Sequence, residues 1–243
     1  MVAWLCNRLL KISRVLQEFT RNEGGPGAFA RLRTFFEWQL KKSQQTIADL
    51  IHGVDTYKGV GDPARGTSGP FAYDAAPWSS LRRIFRHLPL ELSRFTFIDM
   101  GCGKGRIVLA ASAFPFLSVV GVEFSPPLCR IAEHNLAVCR FLRRRAGSAR
   151  IIECDAVELA VPSTPCVFFF YNPFNSVLLE IVIRRIVDSH SEFPREIYLI
   201  CVGMSTVVPQ ICRIPRIRLL YSSSMRFGMS DNRTLYVFTV TGD

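Results

Sequence analysis

The chain has 243 residues, 49% of them apolar, which allows one domain with a sizeable core and argues against global disorder. Its formal net charge is +10, an excess that favours acidic partners such as nucleic acid, anionic lipid, acidic protein surfaces or a charged cofactor. No apolar run reaches the roughly 18 residues of a transmembrane segment; the longest candidate, Cys166 to Phe174, is interrupted by Asn172 and Pro173.

In chain order, Leu5, Leu9, Ile12, Leu16 and Phe19 fall on one helical face, opposite Asn7, Lys11, Arg14 and Glu18. The Gly24-Gly25-Pro26-Gly27 break is followed by a second helix from Ala28 to about Ile51. Residues 1–52 are expected to form an N-terminal helical extension, packed on its own domain or a partner. The basic first helix also fits a membrane-surface element. Residues 53–77, rich in Gly, Pro, Asp and Ser, read as a flap or ordered loop. Residues 78–243 form the main domain. It opens with a helix from Trp78, whose stripe is Leu81, Ile84, Phe85 and Leu88, and Pro89 ends it.

From Phe95 the chain alternates. Strands are expected at Phe95–Met100, Ser118–Phe124, Arg150–Cys154, Cys166–Tyr171 and Glu196–Val202. Helices are expected at Arg106–Phe114, Pro126–Arg144 and Val177–Ser189. Repeated β-α-β units predict a Rossmann-like, doubly wound, mostly parallel α/β sheet. Ile217–Ser222 and Leu235–Thr241 leave little room for a helix between them, so an antiparallel strand pair is expected at one side of that sheet.

The most informative stretch is Phe97-Ile98-Asp99-Met100-Gly101-Cys102-Gly103-Lys104-Gly105-Arg106. A strand ends in an acid, a glycine loop turns sharply, and a helix begins. Glycines allow the turn and let a ligand approach the backbone. The spacing G-x-G-x-G departs from the G-x-G-x-x-G of dinucleotide sites, and Asp99 suits a cationic amino group better than a pyrophosphate. S-adenosylmethionine, which carries an amino group, a carboxylate and a sulfonium but no phosphate, fits this loop. One helix and one strand later, Val119-Val120-Gly121-Val122-Glu123 offers a carboxylate to two ribose hydroxyls, with Phe124 beside it. Asp155, before Ala156, is placed to accept from an adenine amino group or to serve as a solvated turn acid. Asn172 ends the fourth strand, at the mouth of the same pocket or as the stop of an Asn-Pro turn.

Together these segments resemble class I S-adenosylmethionine-dependent methyltransferases over residues 53–240, most strongly from Phe95 to Phe174. Within that superfamily the chain resembles a poorly characterised bacterial group with a helical N-terminus, a Gly-Val-Asp-Thr segment (Gly53 to Thr56), a tyrosine-containing flap, and Gly-Lys-Gly-Arg in the glycine loop. It is more distantly similar to the non-SET lysine methyltransferases. The resemblance implies S-adenosylmethionine as cofactor, held by Asp99, Gly101, Cys102, Gly103, Gly105, Glu123, Phe124, Asp155, Ala156 and Asn172. It places Tyr73 over the cofactor as a flap residue, with Asn172 and Tyr73 at the reacting end. In the flap, alanine (Ala75, Ala76) stands where a hydroxyl residue is often found shortly after the tyrosine; separately, Asn172-Pro173-Phe174 resembles, but shortens, the Asn-Pro-Pro-aromatic motif of amino-group methyltransferases.

Methyl transfer is then direct, and the protein supplies alignment. A nitrogen acceptor on a protein side chain or another amine is favoured. The basic clusters Arg82, Arg83 and Arg86; Arg143, Arg144 and Arg145; and Arg213, Arg216 and Arg218 keep a nucleic-acid acceptor or a nucleic-acid-binding module open, although a solvated face is the plainer reading of the middle run. A nicotinamide-dependent oxidoreductase of related fold and a non-catalytic scaffold that keeps the cofactor fold are the remaining rivals, the intact set of Asp99, Glu123, Asp155 and Asn172 counting against the second. His87 and His134 read as solvent-facing helix residues rather than general bases. The eight cysteines form no C-x-x-C pair and no metal-ligand spacing, so no metal is expected. With no secretory leader recognised, they point to reduced thiols in the cytoplasm.

Overall fold

The computed structural model describes residues 43, 45–57, 75–140, 142–226 and 232–242. The expected first helix, most of the second, and the flap tyrosine Tyr73 lie outside the described residues. Residues 45–52 are helical (α1), in keeping with the end of the second expected helix.

Seven strands form one sheet: β1 (Thr96–Met100), β2 (Ser118–Glu123), β3 (Ala149–Glu153), β4 (Cys166–Tyr171), β5 (Ile197–Val202), β6 (Ile217–Arg226) and β7 (Asn232–Val240). Their spatial order is β3-β2-β1-β4-β5-β7-β6. The first five are parallel, and β7 runs antiparallel to both β5 and β6. The helices that follow α1 are α2 (Ser80–Phe85), α3 (Arg106–Ser112), α4 (Pro126–Val138), α5 (Ser176–Glu192) and the short α6 (Val208–Ile211).

The apolar run of β4 becomes a central strand because alternate side chains enter different cores. Val167 and Phe169 meet Phe97, Ile200, Val237 and the helices α2 and α3 through Leu81, Ile84, Val108 and Leu109. Phe168 and Phe170 meet Ile98, Met100, Leu199 and the α5 stripe Leu179, Val182, Ile183 and Ile186. Phe168, Phe169 and Phe170 are all fully buried, so truncating any one to alanine would cost about 3–5 kcal/mol. Two packed faces are what a parallel sheet requires.

Strand order reverses between β1 and β4, both hydrogen-bonded neighbours in the sheet. In such sheets the crevice beyond the strand C-termini at the reversal is where ligands bind.

Several boundaries differ from expectation, among them the end of α5 at Glu192 rather than Ser189 and the start of β7 at Asn232 rather than Leu235. Helix α2 stops at Phe85, where His87 N–H closes a tighter turn onto the Ile84 carbonyl at 3.0 Å, yet Leu88 still packs on the core. Helix α4 stops at Val138 rather than Arg144. Arg140 N–H bonds the His52 carbonyl at 2.8 Å and His52 Nδ1 lies 3.0 Å from the Arg140 carbonyl, so pairing with α1 draws the chain off the helix. The strand β6 runs four residues beyond the expected Ser222, through a bulge between Leu219 and Tyr221.

Candidate active site

The glycine loop leaves β1 at the reversal. Gly101, Gly103 and Gly105 take φ of 76°, 55° and 78°, values that cost a residue with a side chain about 1–2 kcal/mol. The N–H groups of Gly101 and Cys102 both donate to the Val122 carbonyl at 2.9 Å, and Gly105 N–H donates to the Cys102 carbonyl at 2.9 Å. The loop is thereby tied to the end of β2. A Cβ on Gly101 would stand 2.7 Å from Pro173 Cβ, so the loop lies directly against the Asn172-Pro173-Phe174 turn that follows β4.

Asp99 is 4% exposed. It takes no hydrogen bond from the described residues. Burial, and then the neighbouring Glu123 carboxylate, push its carboxyl up to about 8. An acid held this way, at the root of a glycine loop, is matched by a cation that replaces its lost hydration.

Glu123 is 6% exposed. Its Oε2 accepts from Gly103 N–H at 3.0 Å, and its Oε1 accepts from Phe124 N–H at 3.1 Å and Ser125 N–H at 3.0 Å. The carboxylate expected to meet a ribose therefore also braces the glycine loop. Three of its roughly four acceptor positions are used. Cys154 N–H donates to the Glu123 carbonyl at 3.0 Å, which draws the end of β3 beside it. There Asp155 is exposed and accepts from Val157 N–H at 3.0 Å, Ala156 is buried, and Phe124 is 44% exposed as an apolar surface.

Asn172 is exposed with φ of 48°, a left-handed conformation that asparagine tolerates better than most residues. Phe174 sets its ring edge-on to Phe170 at 6.5 Å, which directs it to the core side of the turn. On the other side, the Arg233 guanidinium lies over the Tyr171 ring at 4.5 Å. Thus Asp99, Gly101, Cys102, Gly103, Gly105, Glu123, Phe124, Asp155, Ala156 and Asn172 gather along the C-terminal edge of β1 to β4. His87 and His134 are exposed, as the sequence led us to expect.

The lysine and arginine of the Gly-Lys-Gly-Arg stretch are structural parts of the loop. Arg106, the first residue of α3, is 1% exposed. Its Nε donates to Thr56 Oγ1 at 2.7 Å, Nη1 to Gln45 Oε1 at 2.5 Å, and Nη2 to Asp49 at 3.2 Å. Asp49 also accepts from Thr56 N–H and Oγ1, each at 2.7 Å, and from Trp78 Nε1 at 3.3 Å. Lys104, also 1% exposed, sets its Nζ 3.3 Å from Asp55 Oδ2. Asn135 on α4 closes the set: its Nδ2 donates to the Asp55 and Lys104 carbonyls at 3.0 Å, and its Oδ1 accepts from Asp55 N–H at 3.0 Å. Two cations in the Gly-Lys-Gly-Arg stretch and two acids at Asp49 and Asp55 were the available signal. Among the basic clusters, Arg143, Arg144 and Arg145 are exposed, although Arg144 donates to the Leu136 carbonyl; Arg216 likewise donates to the Thr241 carbonyl at 3.0 Å and contacts Ser191 and His190, so both side chains are structural ties rather than free parts of a patch.

No protein-family model matches the chain, and no curated protein matches it in sequence. Solved structures do match in shape. The glycopeptide N-methyltransferase MtfA aligns over 68% of this chain and 95% of its own, with a TM-score of 0.51 at 11% identity. TrmN from Thermus thermophilus aligns over 68% of this chain and 48% of its own, with a TM-score of 0.49 at 15% identity. Magnesium protoporphyrin IX methyltransferase from Synechocystis PCC 6803, solved with bound SAM, aligns over 68% of this chain and 79% of its own, with a TM-score of 0.48 at 13% identity. With the seven-stranded sheet of its described residues and inserted antiparallel last strand, the chain has the Rossmann-like fold of the class I methyltransferases.

Proposed function

We propose that this chain is an S-adenosylmethionine-dependent methyltransferase that acts on the nitrogen of a protein side chain or another amine. The observation that carries the reading is Asp99: a 4% exposed carboxyl without a hydrogen bond from the described residues, raised to about 8, and set where three left-handed glycines open the backbone to a ligand. The cofactor's amino group is a fitting counter-charge for it. Glu123 has acceptor capacity left for a ribose hydroxyl, Phe124 offers an apolar surface to adenine, and Asp155 stands beside it for the adenine amino group.

Bound S-adenosylmethionine supplies a methyl on a sulfonium, so one displacement forms the N–C bond, breaks the C–S bond and leaves the electron pair on a neutral thioether. An ammonium acceptor must first lose one of its protons, to water at this exposed turn. The Asn172 amide oxygen can then accept the remaining N–H and fix the nitrogen lone pair. The turn that carries Asn172 is seated on Gly101 through Pro173, which keeps acceptor and cofactor positions in register. Tyr73, from the flap, would exclude water. Buried free thiols at Cys102, Cys129, Cys166 and Cys201 fit a reducing cytoplasm.

Calorimetric titration with S-adenosylmethionine, S-adenosylhomocysteine and nicotinamide dinucleotides tests the cofactor. Binding of the first two is expected; binding of a dinucleotide with neither of them would overturn the reading. Mass spectrometry of the methylated product tests the acceptor atom, and a product on oxygen, carbon or sulfur would end the nitrogen assignment. The exposed Arg143 and Arg145 keep RNA or DNA as the second acceptor class, to be assayed in parallel with peptide pools.

A further inference from the structure

Residues 53–55 and one face of α4 enclose a cleft of about 520 Å³, and none of its lining residues belongs to the candidate cofactor site. Pro127, Arg130, Ile131 and His134 follow one another at i, i+3, i+4 and i+7, so the helix presents them as one stripe. Val54 stands opposite. Val54, Pro127 and Ile131 are half-buried and make the walls apolar, whereas Arg130 and His134 are exposed. Small-molecule sites are built in this way, at about 300–1,000 Å³ with apolar walls and a few polar groups. The floor is Asn135, which is 1% exposed. Its amide bonds the Asp55 N–H, the Asp55 carbonyl and the Lys104 carbonyl, all at 3.0 Å. The 53–55 loop is thereby fixed to α4, and a ligand would meet walls already in place, which lowers the cost of binding.

The polar groups of the cleft divide into two kinds. Asn135 is engaged at both ends of its amide, and the Asp55 carboxylate faces the Lys104 ammonium at 3.3 Å. Arg130 and His134, by contrast, have no hydrogen bond or ion pair among the described residues. Glu133, the exposed acid beside them on α4, bridges neither. A guanidinium offers five N–H donors in a planar fork, and its natural complement is an oxyanion held by two parallel hydrogen bonds. A histidine four residues along the same stripe adds a ring N–H within reach of the same group. We propose that this cleft binds a small organic anion: Arg130 and His134 hold its carboxylate or phosphate group, and Val54, Pro127 and Ile131 take the apolar body that carries it. The site is separate from that of the cofactor, and the inference does not depend on the cofactor reading.

The test is a titration of the isotope-labelled full chain with benzoate, phenyl phosphate, neutral benzamide and inorganic phosphate, followed by the NMR signals of its backbone amides. Benzoate or phenyl phosphate should shift the signals of residues 53–55 and 127–135, with a dissociation constant of about 1 mM. The tighter of the two identifies the anionic group as carboxylate or phosphate. Benzamide, which has the shape of benzoate without its charge, should bind about tenfold more weakly. Arg130→Gln, a change at an exposed side chain, should remove that preference, while Arg143→Gln on the exposed run beyond α4 should keep it. Ile131→Ala should weaken phenyl phosphate and leave inorganic phosphate unchanged. Benzamide binding as tightly as benzoate, Arg130→Gln without effect, shifts confined to residues 99–105 and 123–125, or no shift with either organic anion would each overturn the inference.

Discussion

The raised Asp99 carboxyl makes cofactor affinity pH-dependent with a defined sign. Free Asp99 titrates at about 8, against an ordinary value of 3.8, because burial and the Glu123 carboxylate disfavour its charged form. The cofactor's ammonium needs that charge. Below pH 8 the free protein holds a proton on Asp99 that must leave when the cofactor binds. Affinity should then rise with pH by up to tenfold per unit, so that moving from pH 6 to pH 8 strengthens binding by at most about a hundredfold, or about 2.7 kcal/mol. One proton should be released per cofactor bound at pH 6.5, read as the dependence of the calorimetric heat on the buffer's ionisation enthalpy. The unliganded protein behaves in the opposite sense. An acid whose folded value is raised costs nothing below its unfolded value of about 4 and destabilises progressively as pH climbs from there to about 8. S-adenosylhomocysteine should accordingly raise the melting temperature more at pH 8 than at pH 6. Asp99→Asn should bind weakly with a flat profile. Constant affinity between pH 6 and 8 in the wild type, without proton release, would refute the pairing of Asp99 with the cofactor.

Other outcomes follow from the same geometry. Glu123→Ala should weaken S-adenosylhomocysteine by about 1.5–3 kcal/mol, one to two decades in a titration, and should also lower stability, because it orphans the N–H groups of Gly103, Phe124 and Ser125. Asn172→Gly keeps the left-handed backbone at φ of 48°; cofactor affinity should hold while turnover falls at least about tenfold, and a fall in affinity rescued by saturating cofactor would assign Asn172 to cofactor binding instead. Arg106→Met leaves Asp49 buried without its cation and should cost about 3–5 kcal/mol, a drop in melting temperature of roughly 6–20 °C for a chain of this size. Among the described cysteines, native alkylation followed by mass spectrometry should modify the exposed Cys212 first and spare Cys166, whose thiol burial pushes up to about 11, and Cys201, pushed higher still.

Much of the sheet was legible in the sequence because the parallel strands are buried on both faces. Phe97-Ile98 and Phe168-Phe169-Phe170 are runs with no polar interruption, and Gly, Pro and acids mark their ends. The glycine loop was legible for a related reason: left-handed turns leave glycines at fixed offsets. The end of α4 was not, since nothing local stops the helix before Gly147; the stop comes from His52, 88 residues away. Strand order was equally hidden. A hairpin-like pair can be read from the spacing of β6 and β7, but whether the outer or inner strand joins β5 depends on edges that no local pattern encodes. The Arg106 hub escaped because its partners are spread over residues 45–78, and residue types at such distances carry no periodicity. Its clue was a charge balance between two short segments rather than a motif.

Placing the last strand inside the sheet has a consequence for synthesis. β7 pairs with β5 on one side and β6 on the other, so β6 has no place in the sheet until β7 arrives. About 30 residues separate the end of β5 at Val202 from the start of β7 at Asn232. At roughly 5–20 residues per second of translation, the edge of β5 stays unpaired for about 2–6 s while the residues before β7 are added. That edge is Ile197 to Val202, almost wholly apolar, and β6, still unpaired, adds the apolar Leu219 and Leu220. Nascent chains stalled in this interval offer a strand-shaped, sticky border that a holdase chaperone would recognise, whereas chains released after residue 240 would not.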